Sequence, residues 1–402
     1  QAFAYSVKTG IYVEARDIGT LHHIWFTGLE ICSINGSMNT KNNGGIFMEV
    51  TGNEDENKRI PTNFEDVLLS GCYIHDVDRT GFSNISIWSN RSLTSKWKDN
   101  LENGKVHNWF PSKKIIIRNN KFERTGANAL IVRVAESPLV EYNLFNHCAI
   151  KGSGNASFPF NCDNALFQYN EASYTVYNSE ADSWDGKKDA DAGGFDSDYK
   201  CKNTVIQYNY SHHNGYGGIL ICCMGNNKTA FNDGTIIRYN IFENNQHHII
   251  RTSGPITNTK IYNNVIFSGS ELDSVMLLYH KSWSGFSDST AYLNNIFYSK
   301  GNGNYIDLGK STRNIFKANT FFGKIGNEPD DSLKSKANPR FISTTSSESN
   351  WKNFLRFMLQ SDSPEIDQGI MIEGHSERDF IGNQIQGPPD RGVFEMNKPK
   401  IF

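Results

Sequence analysis

The chain has 402 residues and a formal charge of −3, from 40 basic and 43 acidic side chains, so it lacks the basic excess that a nucleic-acid or anionic-membrane partner would require. Its apolar runs are only a few residues long, which excludes a helical membrane span, while 38% hydrophobic and 12% aromatic residues suffice to bury a core and exclude a disordered chain. The 46 asparagines and 34 glycines predict many tight turns, because these residues tolerate positive φ or bond to their own backbone.

Taken in chain order, the first units are Phe26-Thr27-Gly28-Leu29-Glu30-Ile31 and Leu69-Ser70-Gly71-Cys72-Tyr73-Ile74, each a short apolar run around a glycine. From Ile117 onward the same unit carries asparagine instead, at positions 120, 143, 170, 209, 240, 264, 295 and 319. About ten residues after most of these asparagines comes a second β-rich run, such as Ala129–Arg133, Gly218–Cys222 or His248–Arg251. Repeats of two or three strands of three to five residues cannot form a helical array. They predict a coiled parallel solenoid of about ten turns, stacked at about 4.8 Å per turn, with the aligned asparagines bonded from turn to turn as a ladder. Seven cysteines without CxxC spacing (Cys32, Cys72, Cys148, Cys162, Cys201, Cys222, Cys223) read as small buried hydrophobes.

This layout resembles the right-handed parallel β-helix of the pectate-lyase-like superfamily over roughly residues 20 to 325. The tail adds Ala337–Ile342, Ser363–Gly369 and Pro389–Glu395, which resemble the closing segments of bacterial secreted β-helix proteins. The resemblance implies an all-β domain with the helix over 1–325 and a capping segment over 326–402. It further implies a secreted, periplasmic or cell-surface bacterial protein that handles a polysaccharide.

Insertions at 52–64, 90–112, 172–192, 224–234 and 281–290 are expected to wall a groove, since loops on a rigid frame carry function. Trp184 and Trp283, with Trp88, Trp97 and Trp109, would either stack on sugar rings or pack these loops down. The densest polar run is Asp182–Lys200. Aligning Phe195 and Ser197 with Ile219 and Ile221 points those residues inward and leaves Asp196 and Asp198 outward on one face, about 6.6 Å apart from twice the strand rise. Such a pair suits a hard cation, calcium, with Asp189 and Asp191, or a general acid and base flanking a water. Two turns further on, Arg251 falls in the column of Asp196, and Arg133, His247, His280 and Lys281 lie at equivalent or nearby positions, with His213 in a turn beside them.

Acids or a cation facing arginine and lysine suit a uronic-acid chain. The expected activity is therefore that of a polysaccharide lyase, a monomer cleaving an anionic polysaccharide by β-elimination. Calcium or arginine would neutralise the sugar carboxylate, Arg251, Arg133, Trp184 and Trp283 would bind substrate, and Lys281, His213, His247 or His280 would act as base. The alternatives are a glycoside hydrolase with Asp196 and Asp198 as its acid/base pair, and a non-catalytic carbohydrate-binding or adhesin rod.

Overall fold

In the computed structural model, described for residues 8–33, 37–39, 43–94, 101–102, 105–106, 109–178, 191–225, 230–345 and 351–396, each repeat closes one turn of a right-handed parallel β-helix. One turn is Leu130–Glu136, Leu139–Glu141 and Leu144–Asn146; the next is Ser157–Asp163, Leu166–Gln168 and Glu171–Ser173. They stack in register, Ile131 on Phe158, Val140 on Phe167 and Phe145 on Ala172. The first two faces join into a 22-stranded sheet wrapped around the coil, and the third is a ten-stranded sheet, so the helix makes ten turns among the described residues. Strand parity sends Leu130, Phe195, Ile219, Ile250, Leu278 and Ile306 inward on the first face, and Ile117, Val140, Phe167, Ile206, Ile237 and Ile261 on the second. These side chains form one continuous core.

The asparagine ladder runs along the corner between the second and third faces. Asn170 receives the backbone N–H of Asn143 at 3.0 Å, and Asn209 that of Asn170 at 2.9 Å. Every side-chain amide also donates to the oxygen of the next rung, as Asn209 does to Asn240 at 3.0 Å. An amide ladder of this kind needs a final acceptor that donates nothing. Asp331, from beyond the last turn, supplies it, taking the backbone and side-chain N–H groups of Asn319 at 2.9 and 2.8 Å.

The residue before each rung is left-handed, with φ of 57° at Asn119, 54° at Tyr142 and Tyr169, 56° at Tyr208 and 51° at Tyr239. That conformation costs a non-glycine residue about 1 kcal/mol. Stacking of Tyr142 on Tyr169 at 5.0 Å, and of Tyr169 on Tyr208 at 4.9 Å, offsets part of it. Gly28 and Gly71 occupy this left-handed place, at φ 62° and 65°, rather than the rung itself. The rung above Asn120 is Cys72, whose N–H donates to Asn120 at 2.9 Å.

The tail does two jobs. Its first part bridges to the last turns, Gly326 to Tyr305 and Ser335 to Thr320, and supplies Asp331. The remainder runs back along the flank of the later turns, where Phe354, Phe357, Phe380 and Phe394 cover Tyr208, Tyr239, Ile241 and Phe267. Arg391 and Glu365, one from each of the last two tail motifs, form a buried ion pair at 3.0 Å, and Arg356 pairs with Glu243 of the helix. All seven cysteines are unbridged; six are buried and Cys32 is exposed. No helix among the described residues is long and apolar enough to cross a membrane.

Candidate active site

Asp196 sits in the three-residue strand Phe195–Ser197, between Ser157–Asp163 and Ile219–Cys222 on the first face. Two glycines lead into this strand because nothing larger fits. A Cβ on Gly194 would lie 2.3 Å from the Ser211 hydroxyl, and one on Gly193 2.9 Å from Asn155 Oδ1. Asn155, one turn back, fixes the entry: its Oδ1 accepts from Gly193 N–H at 2.9 Å and its Nδ2 donates to Asp196 Oδ2 at 3.2 Å.

Strand parity turns Asp196 outward from the coil, yet it is only 3% exposed. Burial, then the charges of Asp198 and Asp191, push its carboxyl well above the ordinary aspartate value and favour its protonated form. Asp198 is half-buried and lies past the strand's end. Its Oδ1 accepts from Tyr199 N–H at 2.7 Å and from the Cys222 thiol at 3.2 Å, while the same sulfur lies 3.9 Å from Asp196 Oδ1. The two carboxylates and the thiol thus bring one ligand atom each within 4.8 Å of one another. This is closer than the about 6.6 Å of an extended strand.

Among the described residues this group offers two carboxylates and a thiol, against the six to eight oxygens that calcium takes, and Asp189 lies outside them. Burial and the neighbouring carboxylates push the Cys222 thiol up, so its sulfur keeps a proton and donates it. The chemistry on the page is that of the carboxylates themselves.

In-register stacking places Asp196 on Leu220 and Leu220 on Arg251, so Arg251 does lie two turns along the same column. Its Nε donates to Ser253 Oγ at 2.9 Å and its Nη1 lies 3.3 Å from His248 Nε2. Arg251, His248, Tyr216, Asn155 and Asp191 line one small recess on this face. Burial and the adjacent Arg251 hold the His248 ring neutral, and its Nδ1 is buried with no hydrogen-bond partner. Lys281 stacks on Ser253 in the next column. Trp283 meets the edge of Tyr199 at 6.3 Å, which brings it beside Asp198. Arg133 stacks on Phe160 in the preceding turns. His247 is exposed at the rim, against Tyr177 and Tyr216.

Two expected bases lie elsewhere. His280 pairs with Thr252 and so faces inward, 1% exposed, with its ring nitrogens against Tyr292 and Ser311 at 2.7 Å; burial lowers it to about 4. His213 follows the Tyr210–His212 strand of the third sheet, stacked on Tyr174, on a different face of the coil. Trp88 and Trp109 are buried in loop packing, the latter under the Arg91 guanidinium at 3.9 Å. Asp189, Trp184 and Trp97 lie outside the described residues.

Sequence reasoning missed Asn155, Tyr216, Cys222 and His248. Cys222 could have been found by counting, since it falls one turn beyond Asp198. Nothing in the repeat marks the other three.

No known protein family matches the chain. A lacto-N-biosidase of Bifidobacterium longum subsp. longum is 24% identical over an alignment covering 97% of this chain and 26% of that protein, so the chain spans about a quarter of its relative's length. Among solved structures, the GH136 lacto-N-biosidase of Eubacterium ramulus is 21% identical with a TM-score of 0.51, over 78% of this chain and 46% of that one. XylC in complex with xylose is 12% identical with a TM-score of 0.52, over 95% and 66%. These structural likenesses establish the fold. The curated relative overturns the expectation of a polysaccharide lyase, because the protein that aligns with nearly the whole chain is a glycoside hydrolase. Acids facing basic groups suggested β-elimination, but that pattern serves hydrolysis equally.

Proposed function

We propose that the chain is the catalytic β-helix of a glycoside hydrolase that works outside the cell on oligosaccharides bearing a lacto-N-biose unit. The observation that carries this reading is the group of three aspartates on one face: Asp196, buried and with its carboxyl pushed up, feels the charges of both Asp191 and Asp198, the two acids that reach the surface. Glycoside hydrolysis needs one carboxylic acid to protonate the leaving oxygen and one carboxylate to attack the anomeric carbon or activate water. Asp198, receiving hydrogen bonds from Tyr199 N–H and the Cys222 thiol, is suited to the charged role, because such bonds favour the ionised form. Asp196, its carboxyl pushed up by burial and by its two acidic neighbours, is suited to the proton-donating role. Asp191, in the recess with Arg251 and His248, adds to the charge that raises it. Neutral His248, with a free buried Nδ1, can bond a sugar hydroxyl, and Trp283 with Tyr199 offers an apolar surface for a ring. The lacto-N-biosidase name of the curated relative supports the substrate class.

The test is release of p-nitrophenol from p-nitrophenyl lacto-N-bioside and from a panel of neutral aryl glycosides. Asp198→Asn and Asp196→Asn are each expected to lower kcat by about 10²–10⁴-fold. Absence of turnover by the unaltered chain on every glycoside, or undiminished turnover by both variants, would overturn the reading.

A further inference from the structure

Arg79 and Arg133 lie on the groove face ahead of the carboxylate group, and each is only 9% exposed. Among the described residues no hydrogen bond or ion pair joins either to an acid, although the charge of Asp198 reaches Arg133. Arg133 donates from Nη1 to Ser83 Oγ at 3.1 Å and lies 5.8 Å over the Phe160 ring. No side-chain hydrogen bond or ion pair holds Arg79 among the described residues, and its Nε is buried and unbonded. Nearly buried arginines are normally paired, since an unpaired charge out of water is costly. Burial lowers both, while on Arg133 the charge of Asp198 raises it and that of Arg79 lowers it.

The site is also held in place. Asn84 bonds both backbone groups of Arg133, accepting its N–H at 2.8 Å and donating to its C=O at 2.5 Å. The pairing of Arg133 with Phe160, and of Ser157 with Phe195, puts Asp198 two coils beyond Arg133, about 10 Å along the groove. That is a span of two sugar rings. We propose that Arg79 and Arg133 form an anion subsite, which takes the carboxylate or sulfate of an acidic sugar two coils from the reacting bond. Arginine suits such a group because its planar fork matches two oxygens at once. The proposal rests on reading the first face as a glycan groove, and it adds a charged substituent to the otherwise neutral substrate.

Binding is measured calorimetrically on the full chain with three probes: glucuronate, galactose 6-sulfate and galactose. At least one anionic sugar is expected to bind more tightly than galactose, and which one does so distinguishes carboxylate from sulfate ester. Arg79→Gln is expected to weaken that binding about tenfold or more, and Arg313→Gln, at an exposed arginine paired with Asp288, to leave it intact. Arg133→Lys keeps the charge but loses the fork, and serves if Arg79→Gln fails to fold; it too is expected to weaken the anionic sugar selectively. The subsite is overturned if neither anionic sugar binds better than galactose, or if both arginine variants bind it as the unaltered chain does. Because the readout is binding, an absence of hydrolysis would count against the hydrolase reading alone.

Discussion

Asn209 is fully buried and its side chain makes five hydrogen bonds. It accepts from the N–H and the side-chain amide of Asn170 at 2.9 and 3.0 Å, and donates to Phe167 O, Gln207 O and Asn240 Oδ1 at 3.0, 2.8 and 3.0 Å. Replacing it with alanine strands two donors on Asn170 and withdraws a donor from two buried carbonyls. At about 1–3 kcal/mol for each buried group left unsatisfied, and allowing for partial relaxation, Asn209→Ala is expected to cost about 4–6 kcal/mol. That is a large share of the about 5–15 kcal/mol that holds a domain folded. The assay is reversible urea unfolding, with Asn302→Ala as the control, because Asn302 is exposed and only its backbone groups are bonded among the described residues. The coil that carries Asp191, Asp196 and Asp198 runs directly into Asn209, so the variant's hydrolytic rate should follow its folded fraction while KM stays unchanged. A loss below about 1 kcal/mol would refute the view that the ladder holds the turns in register.

Asp196→Asn replaces a carboxyl that burial and its acidic neighbours push up with a neutral isostere. A carboxyl raised in the fold is stabilising below its unfolded pKa, and that stability is lost as pH rises through the folded value; the variant should therefore have a higher Tm than the unaltered chain at neutral pH and a flatter Tm–pH curve. Its kcat should fall by about 10²–10⁴-fold as the proton donor is lost; a change within about tenfold would remove Asp196 from that role. In the tail, burial and the nearby Asp390 lift Glu395 from 4.5 to about 8. Its ionisation costs about 4–5 kcal/mol at about 1.4 kcal/mol per pKa unit, so stability falls from about pH 4.5 and the loss is complete above about pH 8. Glu395→Gln should remove that slope in a Tm series from acid to alkaline pH; an unchanged slope would refute the assignment.

The turns were legible because a ladder asparagine marks each one, and because parallel in-register stacking makes alignment a matter of counting. Counting carried Arg251 into the column of Asp196. It failed for His280, where parity was not applied: Tyr279 stacks on Arg251, so its neighbour must face the core. It also set Asp198 beside Cys222, but not at the spacing of an extended strand, because the strand ends at Ser197 and the carboxylate then follows hydrogen bonds rather than pleat. His213 belongs to a different sheet, a distinction that short β-rich runs do not carry. The tail has no repeat to count against, so its course along the flank depends on aromatic packing that no spacing encodes. Reaction type was the least legible feature, since charge pattern is shared by elimination and hydrolysis.

Parallel stacking gives the groove the properties of a ruler. Asp196 and Arg251 are separated by one intervening coil, Leu220, and the coil spacing of about 4.8 Å is close to the length of one sugar unit. Each turn bonds only to its neighbours, so a coil can be gained or lost on either side of Phe195–Ser197 without disturbing the contacts within that strand. The separation between the reacting carboxylates and the arginines on either side therefore changes only in whole steps. Groove length, and with it the length of glycan accommodated, is graduated by number of turns rather than tuned continuously.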